Sequence, residues 1–265
     1  MKFNFKRKYL TIPYIIFLAL FIIIPILLIL YYAFSDASGA LSWNSMIKFF
    51  TSPTKLNAIV ISFFIAIQTT LLCLLIGYPL AYFLADKKIN KNAVMIMLFI
   101  MPMWINFVLR TWATREVLTW FSLGGADKPY TATLIGMVYN YLPFAILPLY
   151  TTMIKLDHSQ MEAASDLGAS PIQVFIKNVI PQSLPGIISA VTMTLVPVMS
   201  SYVISSTLSE GKITLIGDSI YLNFSNNQWN DGSFMAVLLL ILVFFSMLLT
   251  KDEKNAAESR GGGLW

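Results

Sequence analysis

Six long apolar segments constrain the fold of this chain more than any other feature. They lie at 10–34, 58–85, 93–114, 131–154, 184–208 and 234–250. A helix needs about 20 apolar residues to cross a bilayer, with a lower limit of about 17, so each segment is long enough. Lipid offers no hydrogen-bond partners, and these runs far exceed a barrel strand of about 10 residues. The pattern therefore predicts an all-α integral membrane protein with six transmembrane helices.

The residue types that are rare in this sequence exclude several functions. Charged residues make up 12% of the chain, whereas a soluble domain has about 25%. One cysteine and one histidine allow neither an internal disulfide nor a Cys/His metal cluster. The predicted spans contain no Asp, Glu or His, which argues against a proton- or sodium-coupled secondary transporter. We expect no catalytic residues and no metal site.

A membrane enzyme would need a cluster of titratable residues at one membrane face. Asp157, His158 and Glu162 are close in sequence, but a solvated loop with a helix-capping residue explains them more simply.

The distribution of basic residues predicts the orientation of the chain. With the N-terminus inside, the inner regions hold twelve of the eighteen Lys and Arg residues and the outer regions hold five. This bias places both termini in the cytoplasm. It also accounts for the net charge of +5 without a nucleic-acid partner. We expect the lipid bilayer to surround a single transmembrane domain over residues 1–250.

The two ends of the chain and the prolines of the fourth segment carry further expectations. The first segment is longer than the apolar core of a typical signal peptide, so we expect an uncleaved anchor, with cleavage near 36–39 as the alternative. Residues 251–265 are polar and Gly-rich and are expected to form an irregular cytoplasmic tail. Pro143 and Pro148 predict that their helix is bent or locally unwound.

The predicted inner loop at 157–183 contains strong helix signals. Ser159 and Glu162 have the spacing of a capping box, and Gly168 suits the left-handed position that ends a helix. Ser170 and Pro171 can then begin a second, amphipathic helix that ends at Pro181. A two-turn helix is unstable alone, so its apolar residues need a cover, from this protein, the membrane or a partner. An interfacial loop with no partner remains the alternative.

This loop resembles the EAA loop of binding-protein-dependent ABC permeases. The residues that match at the family's spacing are Glu162, Ala163, Ala164, Gly168 and Pro181. Asn178 and Ile180 depart mildly from the family's pattern. The resemblance implies the type I ABC importer permease fold. It also implies that the short helix, with Leu167 at its end, is a coupling helix that docks on a cytoplasmic ATPase.

The resemblance further implies the partners. These are an ABC ATPase dimer, a second homologous permease subunit and an extracellular solute-binding protein, all at the cell (inner or plasma) membrane of a prokaryote. This chain lacks the Walker A pattern. We therefore expect it to have no cofactor of its own, with ATP and Mg bound by the partner ATPase.

The third apolar segment is similar to that of polyamine-importer permeases. The matching residues are Pro102, Trp104, Asn106, Leu109, Arg110 and Thr111, with Val108 between them. The similarity implies import of spermidine or putrescine by alternating access. Sulfate, phosphate and ferric-ion importers share the fold and remain alternatives.

The substrate path itself is less well defined by the residues. The candidate path residues are Trp104, Asn106, Arg110, Tyr139 and Tyr202. Aromatic faces and carboxylates suit a polycation, but the nearest outer-side acids are Glu116, Glu210 and Asp218. Arg110 is expected either to extend to the outer interface or to pair with Glu116.

Overall fold

The computed structural model describes residues 11–36, 38–86 and 94–261, and the side chains of all of these except residues 12, 158 and 249–261. In these ranges the regular structure is helical, apart from one β-bridge between Ser35 and Leu41. The predicted all-α fold is confirmed. The helices in chain order are α1 (Pro13–Ala33), α2 (Asn44–Thr51), α3 (Pro53–Ala85), α4 (Val94–Trp104), α5 (Phe107–Trp120), α6 (Pro129–Met153), α7 (His158–Asp166), α8 (Pro171–Ser200), α9 (Val203–Leu208), α10 (Ile216–Ser225) and α11 (Trp229–Gly261).

Five described helices, α1, α3, α6, α8 and α11, are long and apolar enough to cross a membrane. The bent pair α4 and α5, with an angle of 96° between its two arms, supplies a sixth when the two arms are counted as one span. The span predicted over 93–114 is therefore not one continuous helix. Pro102 lies in a 3₁₀ turn, and Asn106 caps a new helix two residues after that turn, so the chain changes direction between them.

Two π-helical turns allow long helices to pass through prolines. One covers Ala19–Ile23, just before Pro25, and the other covers Phe175–Val179, just before Pro181. In the second turn the N–H of Ile180 bonds to the carbonyl of Phe175, five residues back. This wider turn accommodates a residue that lacks an N–H and whose ring would clash with the preceding turn.

Three other expectations about helix ends are also corrected. The π-helical turn lets α8 continue through Pro181, so the loop's second helix and the fifth span are one element. The predicted segment 184–208 is divided at Ser201 and Tyr202 between α8 and α9. Residues 251–261, predicted as irregular, continue α11 as helix, consistent with their content of Ala, Glu and Lys.

Helix α6 remains a regular α-helix through Pro143 and Pro148, so the predicted unwinding is wrong. Both prolines are buried. Packing against neighbouring residues therefore holds the helix across the two missing N–H groups.

The chain forms two compact units. One contains the residues up to Asn57 together with Ser219–Ile241. In this unit the Phe234 ring lies 5.7 Å from the Phe49 ring, and Asp231 accepts a hydrogen bond from Lys55 at 2.8 Å. The α1 side chains up to Tyr32 are exposed or half-buried, as expected of a helix that faces lipid.

The second unit contains Ala58–Asp218 together with the residues from Leu242 onwards. Its buried core is formed mainly by small and aliphatic side chains of α3, α6 and α8, among them Ala81, Ile146, Leu149 and Ala190. Helices α6 and α8 pack closely at Gly186. A Cβ atom there would lie 2.7 Å from the Thr152 Cβ and 3.2 Å from the Pro148 carbonyl oxygen. Such close contact between small residues is a common way for membrane helices to pack.

We predict that Gly186→Ala destabilises the protein by about 1–3 kcal/mol, because the added methyl group must push α8 away from α6. The matched control is Gly77→Ala, where the nearest side-chain atom would lie 3.4 Å from the new Cβ. That variant should match or exceed the stability of the parent, because Ala favours a helix interior over Gly. Thermal unfolding in detergent measures both. Equal midpoints for the two variants would contradict the packing described here.

Candidate functional site

The first helix of the predicted inner loop, α7, is capped by Asp157. Its Oδ1 accepts hydrogen bonds from the Ser159 N–H at 3.0 Å and from the Ser159 hydroxyl at 2.6 Å. These bonds lower the pKa of Asp157. The predicted capping box of Ser159 with Glu162 is therefore wrong. An ionised carboxylate is the stronger acceptor, and it begins the helix two residues earlier.

The sharp turn after α7 is confirmed. Gly168 has φ +85°, its N–H bonds to the Ser165 carbonyl, and the N–H of Ala169 bonds to the Ala164 carbonyl. This is a Schellman motif, in which a left-handed residue closes the helix. The predicted start of the second helix is confirmed as well: Ser170 caps it in a reciprocal box with Gln173, and Pro171 is its first residue.

Side chains at the base of the loop connect it to two long helices. The Gln182 Oε1 atom accepts from the Asp157 N–H at 3.2 Å, and its Nε2 donates to Gln160 at 3.3 Å. The Phe175 ring packs edge-on against the rings of Tyr78 and Tyr82 at 5.8 and 5.4 Å. The loop is thereby joined to α8 through Gln182 and to α3 through Phe175.

The loop buries part of its apolar surface and exposes the rest. Met161 packs half-buried on the core, whereas Leu167 is 90% exposed and Ile172 is 71% exposed. Of the other predicted coupling residues, Glu162, Ala163, Gly168 and Pro181 are exposed, and Ala164 is half-buried. A cavity of about 420 Å³ lies beside α7, lined by Tyr82, Met161, Glu162, Ser165, Asp166, Pro171, Val174 and Phe175. The described part of the chain thus covers Met161 and leaves Leu167 uncovered.

The second candidate region is the break between α4 and α5. Asn106 caps α5, its Oδ1 accepting from the N–H of Val108 at 2.9 Å and from that of Leu109 at 3.4 Å. Arg110 lies one turn further on and is only 7% exposed. Its Nε donates to the Asn140 Oδ1 at 2.9 Å.

The remaining contacts of Arg110 correct both expectations for it. Its Nη1 donates to the Pro102 carbonyl at 2.7 Å, and its guanidinium lies 5.6 Å from the centre of the Tyr139 ring. The side chain is therefore directed into the protein rather than to the outer interface, and Glu116 is not its partner. The ion pairs between described residues do not include Arg110.

A cavity of about 460 Å³ lies beside this break. Its lining residues are Met103, Trp104, Ile105, Asn106, Phe107, Arg110, Asn140, Tyr141, Phe144 and Ile204. The structure brings three of the five candidate path residues, Trp104, Asn106 and Arg110, onto this cavity. Tyr139 and Tyr202 do not line it.

Sequence reasoning did not select Asn140, which is 2% exposed and bonds to Arg110. It is the one amide side chain in the apolar segment 131–154. A buried amide in an apolar span needs a polar partner, and that rule could have indicated it.

Two of the three predicted outer-side acids are engaged within the protein. Glu210 pairs with Arg115 at 3.0 Å. Asp218 is 5% exposed and accepts hydrogen bonds from the Ser205 hydroxyl and from the Leu215 N–H. Burial raises its pKa to about 6. These two carboxylates therefore contribute to the structure of the predicted outer region.

Comparison with known proteins identifies the family. Residues 75–251 match the family described as binding-protein-dependent transport system inner membrane component. The chain belongs to this family. It is thus a multi-pass inner-membrane permease subunit of a bacterial ABC importer, and it is not itself an enzyme.

Several permeases of this family resemble the chain along most of its length. The spermidine/putrescine transport system permease protein PotB of Escherichia coli is 33% identical over 255 residues, covering 88% of this chain and 92% of that protein. The protein of the same name from Haemophilus influenzae is 30% identical, with 91% of both chains covered. A PotB homolog from Mycoplasma genitalium is 27% identical and covers 93% of this chain and 92% of its own.

Two solved structures share the fold. One is a bacterial ABC transporter involved in the import of the acidic polysaccharide alginate, with a TM-score of 0.66, 17% identity and coverage of 92% of this chain and 94% of the other. The second is a bacterial alginate ABC transporter in complex with its alginate pentasaccharide-bound periplasmic protein. Its TM-score is 0.71 at 14% identity, with 93% and 94% of the chains covered. The predicted ABC importer permease fold is confirmed.

We predict that the stability of this permease falls as pH rises from about 4 to about 6, through the contribution of Asp218. The folded state holds the Asp218 proton up to a pKa of about 6, whereas the ordinary pKa of an Asp side chain is 3.8, so the folded chain binds more protons between these values. Asp218→Asn should remove most of the decrease in thermal midpoint over this window.

The control is Asp127→Asn, which alters an exposed carboxylate of the same predicted outer side. It should keep the pH dependence of the parent. Identical pH profiles for the two variants would contradict the assignment to Asp218.

Proposed function

We propose that this permease imports polyamines, spermidine or putrescine, by alternating access, using ATP hydrolysed by a separate subunit. The main support is the similarity to spermidine/putrescine permeases along 88% or more of the chain. The third-span residues Trp104, Asn106 and Arg110 belong to the pattern of polyamine permeases, and they share one cavity.

The inner loop is the proposed contact with the ATPase dimer that binds ATP and Mg. Leu167 presents an uncovered apolar side chain at the end of α7, beside a cavity of about 420 Å³. Burying a Leu side chain in a partner contributes about 1.5–3 kcal/mol. When the ATPase dimer closes, Gln182 and Phe175 pass the movement of the loop to α8 and α3.

The remaining partners and the orientation follow from the same proposal. Both termini lie in the cytoplasm, as the excess of basic residues in inner loops favours. A second, homologous permease completes the pathway, and an extracellular solute-binding protein delivers the substrate. The cavity beside Arg110 has no carboxylate in its lining. The acids that hold a polycation therefore come from the second permease.

The positive charge of Arg110 at the cavity favours a second candidate function, import of an oxyanion such as sulfate or phosphate. A guanidinium binds such anions through charge-assisted hydrogen bonds. Against this, Nε and Nη1 of Arg110 are already engaged by Asn140 and by the Pro102 carbonyl.

Reconstitution separates these functions. The chain is co-expressed with the ATPase, the second permease and the binding protein of the same transport system, and ATP hydrolysis is measured in proteoliposomes. The binding protein is loaded in turn with spermidine, putrescine, sulfate, phosphate or ferric ion. We expect stimulation by the polyamine-loaded protein alone. Stimulation by an anion- or iron-loaded protein would overturn the substrate assignment. The assignment as an ABC importer permease would stand.

We predict that Gly168→Asp leaves the chain inserted in the membrane but reduces co-purification of the ATPase at least tenfold. A Cβ atom here meets no described atom of this chain within 4 Å, so a side chain would extend into the space proposed for the partner. The matched control is Gly211→Asp, since Gly211 has a similar φ of +74° and equally open surroundings.

Both variants carry the same backbone strain, of about 1–2 kcal/mol. Gly211 lies in a predicted outer loop, so its variant should retain the ATPase. Normal ATPase recovery with Gly168→Asp, or equal loss in both variants, would exclude the loop as the docking site.

A further inference from the structure

The guanidinium of Arg110 connects three backbone segments that meet at the broken third span. Arg110 itself belongs to α5, its Nη1 donates to the Pro102 carbonyl in α4, and its Nε donates to Asn140 in α6. Because α4 and α5 meet at 96°, few contacts between these two arms can form along their length. The side chain therefore bridges the inside of the bend.

Asn140 is held in the orientation that this bridge requires. Its Nδ2 donates to the Gly136 carbonyl at 2.9 Å, which leaves Oδ1 directed at Arg110. Asn140 is 2% exposed and Arg110 is 7% exposed, so water cannot readily replace either partner. The acceptors of the two Arg110 bonds are neutral, and a buried charge held in this way is costly to separate from its partners.

The bridge also defines the cavity beside the break. Trp104 and Asn106 line it from the α4 side and the break, and Tyr141 and Phe144 line it from α6. Arg110 and Asn140 both belong to the lining as well, and their hydrogen bond joins α5 to α6 there. The two hydrogen bonds of Arg110 therefore link the elements that carry both sets of lining residues.

We propose that Arg110 is a positioning residue for transport: its two hydrogen bonds fix the short arm α4 against α5 and α6 and so keep the cavity walls in register. The transport readout of this inference rests on the proposed function, whereas the structural readout does not. Lysine replaces Arg110 poorly, because a single ammonium nitrogen cannot reproduce a planar fork that reaches two separate acceptors.

The structural test measures the distance between the two arms. Spin labels are placed at Met97 in α4 and Val117 in α5, which are 62% and 43% exposed. The buried Cys73, the only cysteine of the chain, is first replaced by alanine. Pulsed electron paramagnetic resonance on the assembled complex then gives the distance distribution.

We expect a narrow distribution for the parent and a broad or shifted one for Arg110→Met and for Asn140→Leu. The matched control is Arg115→Met, on the same helix, where Arg115 pairs with Glu210 at the surface. It should keep the narrow distribution. If Arg110→Met does not fold, the test uses Asn140→Leu, which keeps the arginine, and Arg110→Lys, which keeps the positive charge. A narrow, unshifted distribution in Arg110→Lys and Asn140→Leu would overturn the proposal.

The functional test is a double-mutant cycle on polyamine uptake and ATP hydrolysis. Arg110→Met and Asn140→Leu should each lower uptake at least tenfold while ATP hydrolysis falls less, so that more ATP is used per molecule transported. The double variant should be no worse than either single one, since both remove the same bridge. Additive losses, or an unchanged ratio of ATP to substrate, would contradict a shared positioning role.

If the parent complex fails to transport polyamines, the proposed function falls. The distance measurement still decides whether Arg110 holds the arms.

Discussion

The need to satisfy every backbone polar group in a lipid environment is the constraint on which this structure depends. At two prolines the helix adapts by widening: each of the two π-helical turns ends two residues before a proline, at Pro25 and Pro181. Where the third span breaks, Asn106 satisfies the first N–H groups of α5. Arg110 takes up the Pro102 carbonyl, so a buried charge and a broken helix stabilise each other.

The contacts of the predicted inner loop determine how it moves. The loop is short, it is capped at both of its helix starts, and it is joined to long helices through Gln182 and Phe175. A loop built in this way moves with the helices that carry it. Its exposed Leu167 is therefore positioned on a rigid support, which suits a surface that receives a mechanical signal from a partner.

Local sequence rules predicted much of this fold. Most of their failures are at places where contacts between residues far apart in sequence determine the structure. Gly168 and Ser170 were predictable because a left-handed residue and a helix cap depend on a few neighbouring atoms. The Ser159 box was wrong because Asp157 accepts the Ser159 N–H that Glu162 was expected to accept. The continuation of helix through Pro181 depends on a π-helical turn that no composition indicates. The position of Arg110 required Asn140, thirty residues away in sequence.

Site-specific photocrosslinking tests most directly the proposed contact between Leu167 and the partner ATPase. A benzophenone amino acid is introduced at position 167 and, as the control, at Trp120, which is 78% exposed on the predicted outer side. We expect a crosslink from position 167 to the ATPase whose yield changes when ATP is added, and none from position 120. A crosslink from position 167 to lipid alone, with the ATPase present in the complex, would contradict it.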